Sequence, residues 1–408
     1  MIRRPWALVA LLSATATASY LCRVNVSVAG GQIMTEFGLT QSQMGRVFSA
    51  FLFGYALFMV PAGMLADRFG APRVLAVSAF WWVAGTALMS AIGWAALGSS
   101  TGTTMTALLV LRFVVGVGEA PTFPAAAQGV QGWIRPEQQG RANGLILAAI
   151  GLGSAMAPLL LTSVMVLWGW RTAMLVSGLP ALLVGLAWSR ARGPEGPRAR
   201  SAADDPPKAD RTYLTSRSFL LLTASYTLQG YVGYIFIFWF YLYLVQVRHL
   251  DLMRSALLSS LPWILTIVTI PLGGWISDRL VAGRLGLARG RRVVPMVGLG
   301  LAGIFLACGA HVSNAYVAVA YLTLSTGLVL CVEGPFWATM MEIAGESSGA
   351  GGGVMNMGSN LGGMISPWLT PVLAEAMGWA NALYVAAALA LIAAILWLGV
   401  SPPERRVA

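Results

Sequence analysis

Gly63-Met-Leu-Ala-Asp67-Arg68-Phe69-Gly70 closes the second apolar run of this chain, and Gly274-Trp-Ile-Ser-Asp278-Arg279-Leu280 closes the eighth. The two aspartates are 278 − 67 = 211 residues apart. Gly118-Glu119-Ala120-Pro121 returns as Val332-Glu333-Gly334-Pro335 at nearly the same offset. Met156-Ala-Pro158 returns as Ile365-Ser-Pro367, 367 − 158 = 209 residues on, and Trp168-Gly-Trp170 returns as Met377-Gly-Trp379, 379 − 170 = 209 residues on. Echoes at one long period mean that a single structural plan is used twice, the second copy parallel to the first.

Around these echoes the chain is apolar. Of its 408 residues 57% are hydrophobic and 10% charged, with mean hydropathy +0.72, whereas a soluble domain carries about 25% charged residues. Apolar runs begin near Trp6, Met44, Pro72, Met105, Ala142, Thr172, Phe219, Ser255, Val293, Tyr316, Gly351 and Ala380. Each is long enough for a membrane helix of roughly 20 residues and too long for a barrel strand of about 9–11. The expected fold is an all-α membrane protein of twelve transmembrane helices in two pseudo-symmetric six-helix halves. The halves are residues 1–190 and 216–408, joined by a cytoplasmic linker over 191–215 that is rich in Pro, Ala, Asp and Arg and holds the only lysine, Lys208.

The net charge of +11 does not require a nucleic-acid partner. With both termini cytoplasmic, twenty of the 26 Lys+Arg fall on cytoplasmic segments, which is the positive-inside pattern of a multi-pass inner-membrane protein. The first run continues through Arg23 and Asn25 to Gly30 and is expected to be a retained span rather than a signal peptide. Cys22, Cys308 and Cys331 are scattered through apolar runs with no ligand spacing, so neither a disulfide framework nor a metal site is expected, and no cofactor. No nucleophile–base pattern suggests an enzyme. The lipid bilayer and a small solute are the expected partners, and the protein is read as a monomer.

The Gly63-x-x-x-Asp67-Arg68-x-Gly70 loop, followed by Arg73, resembles the loop between the second and third helices of the major facilitator superfamily. Within it the chain is similar to the anion:cation symporter branch, which includes bacterial sugar-acid/proton symporters and the sialic acid and vesicular glutamate transporters. The carriers are Arg23-Val-Asn25-Val-Ser-Val-Ala29, Arg112-Phe-x4-Gly118-Glu119-Ala-Pro121-x-x-Pro124, Tyr234-x-Phe236-x-x-Trp239-x-x-Tyr-Leu, and Gly353-x-x-Asn356-x-x-x-Asn360-Leu-Gly-Gly. The resemblance implies alternating access between two rocking halves, with Asp67, Arg68 and Arg73, and their counterparts Asp278 and Arg279, latching the cytoplasmic gate. Two positions depart from the pattern. Bacterial members usually carry Asp before the first-span arginine, where this chain has Cys22, and Glu333 stands where a small apolar residue is expected.

Two cations lie where hydrocarbon makes them expensive. Arg23 and Arg112 fall within the first and fourth runs, and a guanidinium at bilayer depth costs about 2.5–3.5 kcal/mol on insertion scales. Arginine does not escape by losing its proton, so a buried anion is the expected repayment and both are candidate substrate ligands. The competing reading is that each guanidinium fastens the bundle by pairing with protein oxygens. Arg112 and Glu119 are seven residues apart, so they share a helix face about 10 Å apart along the axis. That is too far for a tight pair, which leaves Arg112 open to a carboxylate ligand. Tyr55, Tyr234, Trp239, Asn356 and Asn360 are candidates for the remaining substrate contacts, and Tyr226 is another polar group of the path. Asn356 and Asn360, i and i+4, share a helix face.

Glu119 and Glu333 are the acids well inside spans and the candidate proton-coupling groups. With both ionised, two arginines and two glutamates sum to zero. A monoanion alone upsets that balance, and one proton restores it. If the four groups share one cavity, the expected function is proton-coupled uptake of an organic anion, such as a sugar acid or small carboxylate. For Glu333 a fixed ion pair is the competing reading. A proton-coupled exporter or drug antiporter is the alternative within transport, although two buried arginines suit few cationic drugs. A transporter-like membrane sensor is the alternative from another class.

Overall fold

The structure is a computed structural model that describes residues 5–93, 101–191 and 212–403. Among the described residues the chain is helical throughout, with no strand. The linker residues 192–211 lie outside those described.

Unit 1 comprises residues 1–204 together with 237–260. It holds α1 (Pro5–Phe37), α2 (Gln41–Phe69), α3 (Ala71–Ser90), α4 (Thr101–Glu119), α5 (Thr122–Trp133) and α6 (Pro136–Arg190). Unit 2 comprises 205–236 and 261–408. Its first helix is α7 (Arg217–Phe238), followed in the chain by α8 (Phe240–Gln246), which belongs to unit 1, and α9 (Leu252–Ala282), which runs from one unit into the other. Then come α10 (Gly286–His311), α11 (Ala315–Cys331), α12 (Glu333–Ala344), α13 (Ser348–Met377) and α14 (Trp379–Leu396).

Among the described residues fourteen helices make twelve crossings because four of the boundaries differ from a one-run, one-helix count. α4/α5, α7/α8 and α11/α12 are each a crossing broken midway, at 120–121, 239 and 332. α6 runs for 55 residues and turns back at Gly169, whose φ is 77° and ψ 168°. Gly378, between α13 and α14, has φ 88° and ψ 154°. The Trp-Gly-Trp and Met-Gly-Trp echoes are therefore one turn built twice, in a conformation that only glycine adopts without strain.

Each unit exposes large apolar side chains, among them Val60, Leu167 and Leu183 of unit 1 and Val268 and Ile395 of unit 2. Such a surface is a liability in water and is matched to lipid tails. Ten described segments are long and apolar enough to cross a membrane. Inside unit 1, Trp82 and Trp188 pack with Leu12 and Leu75, and the Trp188 indole donates to Thr15 Oγ1 at 2.8 Å. Inside unit 2, Phe219, Phe336 and Trp397 form the corresponding core.

Close helix crossings place the site. A Cβ at Gly116 of α4 would collide with the Phe51 carbonyl of α2, and one at Gly54 with the Phe113 carbonyl. These two glycines bring α2 onto α4 beside Arg112. Gly116→Leu is expected to destabilise the protein by at least about 1–3 kcal/mol through overpacking. The measurement is the unfolding midpoint in detergent, and a midpoint equal to that of the parent protein would contradict this crossing.

Candidate functional site

Glu119, buried, and Glu333, half-buried, both sit at helix breaks. Glu119 is the last residue of α4, before the Ala120-Pro121 interruption, and Glu333 is the first residue of α12. Proline lacks an N–H and does not continue the helical ladder, so the repeated Glu-x-Pro leaves polar backbone beside each acid.

In unit 1, Arg23, Arg112 and Glu119 are all but fully buried. Arg23 Nε donates to Glu119 Oε1 at 2.9 Å, and its Nη2 lies 2.8 Å from the same oxygen. Ser19 Oγ also donates to that oxygen, at 2.7 Å. The Arg23 guanidinium lies 4.6 Å from the Tyr20 ring centre and 4.9 Å from that of Tyr55. Arg112 is served differently. Its guanidinium lies 4.5 Å from the Phe51 ring centre, its Nη2 makes a long 3.4 Å bond to the Arg23 carbonyl oxygen, and its Nε has no hydrogen-bond partner among the described residues. Glu119 Oε2 also lacks one.

Two guanidiniums and one carboxylate leave this cluster one positive charge in excess. Buried polar atoms are satisfied in the great majority of native cores. Arg112 Nε and Glu119 Oε2 thus leave one donor and one acceptor without partners among the described residues in the same cluster. Cys22, beside Arg23, turns away to donate to the Ser177 carbonyl at 3.3 Å. Asn25 Nδ2 donates to Ser177 Oγ at 2.9 Å. Trp239 packs edge-on against Phe48, 5.3 Å between ring centres, and is buried.

In unit 2, the Tyr234 hydroxyl donates to Asn360 Oδ1 at 3.3 Å. Asn360 Nδ2 donates to the Asn356 carbonyl at 2.9 Å, so Asn360 joins α7 to α13. Glu333 accepts from the Tyr226 hydroxyl at 2.7 Å and from Gln229 Nε2 at 2.9 Å. Within unit 2, among the described residues, no arginine, lysine or histidine forms an ion pair with its carboxylate. Glu333 also belongs to unit 2, while Arg23, Arg112 and Glu119 belong to unit 1. The four charges thus divide three and one between the units.

Arg68 and Arg73 are exposed at the α2–α3 junction, and Arg68 lies over the Phe69 ring. The Asp67 side chain lies outside the described residues. In the second loop the ion pair of Asp278 is with Arg291, at 2.6 Å, and Arg291 also reaches Glu342 at 2.8 Å. Arg279 stacks on Trp275 instead, 4.6 Å from the ring centre. Arg291→Ala is therefore expected to destabilise by about 1–2 kcal/mol, discounted for the exposed Asp278, and Arg279→Ala by less than about 0.5. Thermal unfolding of the two variants checks the order, and the reverse order would refute this assignment.

Sequence reasoning missed Ser19, Tyr20, Phe51 and Gln229. Ser19 precedes Arg23 by four residues, and Phe51 precedes Tyr55 by four, so helical periodicity put each beside a residue already chosen. Serine and phenylalanine in an apolar run carry no distinguishing signal of their own.

The chain matches the model of the Major Facilitator Superfamily over residues 10–367 and again over 280–408. It is 33% identical over 381 residues to a probable sulfoacetate transporter of Cupriavidus necator, covering 88% of this chain and 85% of that protein. It is 26% identical to a D-galactonate transporter of Escherichia coli, covering 99% and 97%. Among solved structures, a bacterial homolog of the human lysosomal transporter Spinster superposes with TM-score 0.80 at 18% identity, over 96% of each chain. A D-xylose-proton symporter superposes with TM-score 0.75 at 15% identity, over 97% and 98%. These two likenesses concern the fold. By the match to its model along nearly the whole chain, and by its relatives among sugar-acid and other anion transporters, this multi-pass membrane protein belongs to the Major Facilitator Superfamily.

Proposed function

We propose that the protein takes up a small organic anion across the cytoplasmic membrane together with a proton, by alternating access, as a monomer with both termini cytoplasmic and no cofactor. The observation that carries this reading is Arg112, a buried guanidinium whose Nε has no partner among the described residues, beside an Arg23–Glu119 pair that neutralises only one of the two cations. A planar guanidinium binds carboxylate or sulfonate oxygens with two parallel hydrogen bonds. Glu119 Oε2 is an acceptor for a ligand hydroxyl, and Tyr55, Tyr234, Trp239, Asn356 and Asn360 supply further polar contacts to a hydroxylated acid. The relatives named for galactonate, galactarate/glucarate and sulfoacetate support that substrate class. One proton travels with each monoanion, because an uncompensated charge in a dry interior is expensive. Asp67, Arg68 and Arg73, with Asp278 and Arg279, guard the cytoplasmic opening.

The test is a thermal-shift panel on purified protein with D-galactonate, D-glucarate, sulfoacetate and the cation ethidium. Uptake of the acids that shift it is then measured in proteoliposomes. Stabilisation by at least one acid and not by ethidium is expected. Stabilisation by ethidium alone would replace this reading with a drug antiporter.

A further inference from the structure

The fully buried Glu119 and the half-buried Glu333 live in opposite electrostatic settings. Glu119 is held by a guanidinium at 2.8 Å and a serine hydroxyl at 2.7 Å. Among the described residues of its unit, Glu333 is held by neutral groups: the Tyr226 hydroxyl and Gln229 amide of α7, and the Trp337 indole farther along its own helix. Tyr226 and Gln229 are themselves buried.

Among the described residues, the elements packed around α12 bring no cation into an ion pair with Glu333. From α9, Gly274 approaches Gly334, and Gly273 faces Cys331 of α11. From α10, Gly298 faces Val332, and from α13, Gly352 faces Trp337. The ionisable groups on these elements are Arg217, Tyr226, Tyr231 and Tyr234 of α7, Arg254 and Arg279 of α9, Arg289, Arg292, Cys308 and His311 of α10, Tyr316, Tyr321 and Cys331 of α11 and Glu375 of α13, together with Asp278, Arg291 and Glu342. The last three are engaged with one another by the 2.6 and 2.8 Å pairs of Arg291.

The cage suits both protonation states of Glu333. Gln229 Nε2 also donates to the Val329 carbonyl at 3.1 Å, which fixes it as a donor to Glu333 Oε1. Oε1 is the oxygen that remains a carbonyl acceptor when the acid is protonated at Oε2. A tyrosine hydroxyl donates or accepts. It donates to Oε2 when that oxygen is bare and accepts from it when it carries the proton. Glu119 has no such freedom, because protonating it strands the Arg23 charge.

We propose that Glu333 is the site of the coupling proton, while Glu119 is the fixed ion-pair partner of Arg23. The assignment rests on the anion–proton symport proposed above. With Glu119 ionised, the Arg23–Arg112–Glu119 cluster is +1 when empty and neutral with a monoanion bound. Glu333 is −1 when bare and neutral when protonated. The sum over both units is zero for the empty and the doubly loaded protein. It is −1 with anion alone and +1 with proton alone, so single loading leaves the four groups with a net charge. The proton passes from outside water to the Glu333 carboxylate and from there to inside water, with no other bond made or broken.

Infrared titration of the detergent-purified protein reads this without any ligand. A protonated buried carboxyl shows a C=O stretch near neutral pH, where surface carboxylates are ionised. The expected result is a titrating band in the parent protein and in Glu119→Gln that is lost in Glu333→Gln. A band that persists in Glu333→Gln, or disappears only in Glu119→Gln, overturns the assignment. In proteoliposomes with D-galactonate, Glu333→Gln is expected to keep exchange of internal for external anion and to lose accumulation driven by a pH gradient. Accumulation retained by Glu333→Gln overturns the assignment as well. Absence of galactonate exchange in the parent protein counts against this substrate instead, and leaves the infrared result standing by itself.

Discussion

Arg112→Ala is expected to abolish stabilisation of the protein by organic anions and to weaken their binding by about 2–3 kcal/mol, roughly 30- to 150-fold in Kd. The magnitude follows from the geometry. Arg112 is buried against Phe51, and its Nε has no hydrogen-bond partner among the described residues, so a charge-assisted pair with ligand oxygens replaces nothing already present. Arg112→Lys keeps the charge and loses the planar fork, so it is expected to bind between the two. Calorimetric or thermal-shift titration of the three proteins with the anion that stabilises the parent gives the ranking. Undiminished affinity in Arg112→Ala would remove this guanidinium from the site. The variant is not expected to lose its fold, because among the described residues the long bond to the Arg23 carbonyl is the one hydrogen bond of Arg112.

The Arg23–Glu119 pair is expected to behave in the opposite way, with its largest effect on stability. Glu119→Ala strands Arg23, and Arg23→Ala strands Glu119. Removing one partner of a buried pair costs about 3–5 kcal/mol. Ser19, Tyr20 and Tyr55 remain around whichever charge is left, and none of them neutralises it. Replacing both residues together, by methionine, removes the stranded charge and is expected to recover most of that loss. Reversible unfolding of the two single variants and the double variant measures the coupling. Additive losses would mean that the two side chains do not depend on each other, contrary to the 2.8 Å contact.

These two outcomes separate roles that the sequence makes look alike. Arg23 and Arg112 are both lone cations in apolar runs, with the same insertion cost and the same two candidate explanations. Spacing along α4 correctly separates Arg112 from Glu119 by two turns. It is silent about α1, whose Arg23 approaches Glu119 from 96 residues away in the chain. Glu119 and Glu333 are likewise equivalent in the repeat and opposite in their surroundings, since one meets an arginine and the other a tyrosine and a glutamine.

The amino-acid sequence by itself determined the membrane class, the twelve crossings and the duplicated plan. Apolar runs of helix-crossing length, glycine at the turns and a repeated loop are local features that need no partner to be read. Tertiary structure alone decided which buried charge is neutralised, which is left over and which carboxylate stands without a cation. Those outcomes depend on side chains meeting across helices far apart in the chain. Electrostatic energy at such depth is set by the neighbours within a few ångströms, and hydropathy and periodicity do not encode them.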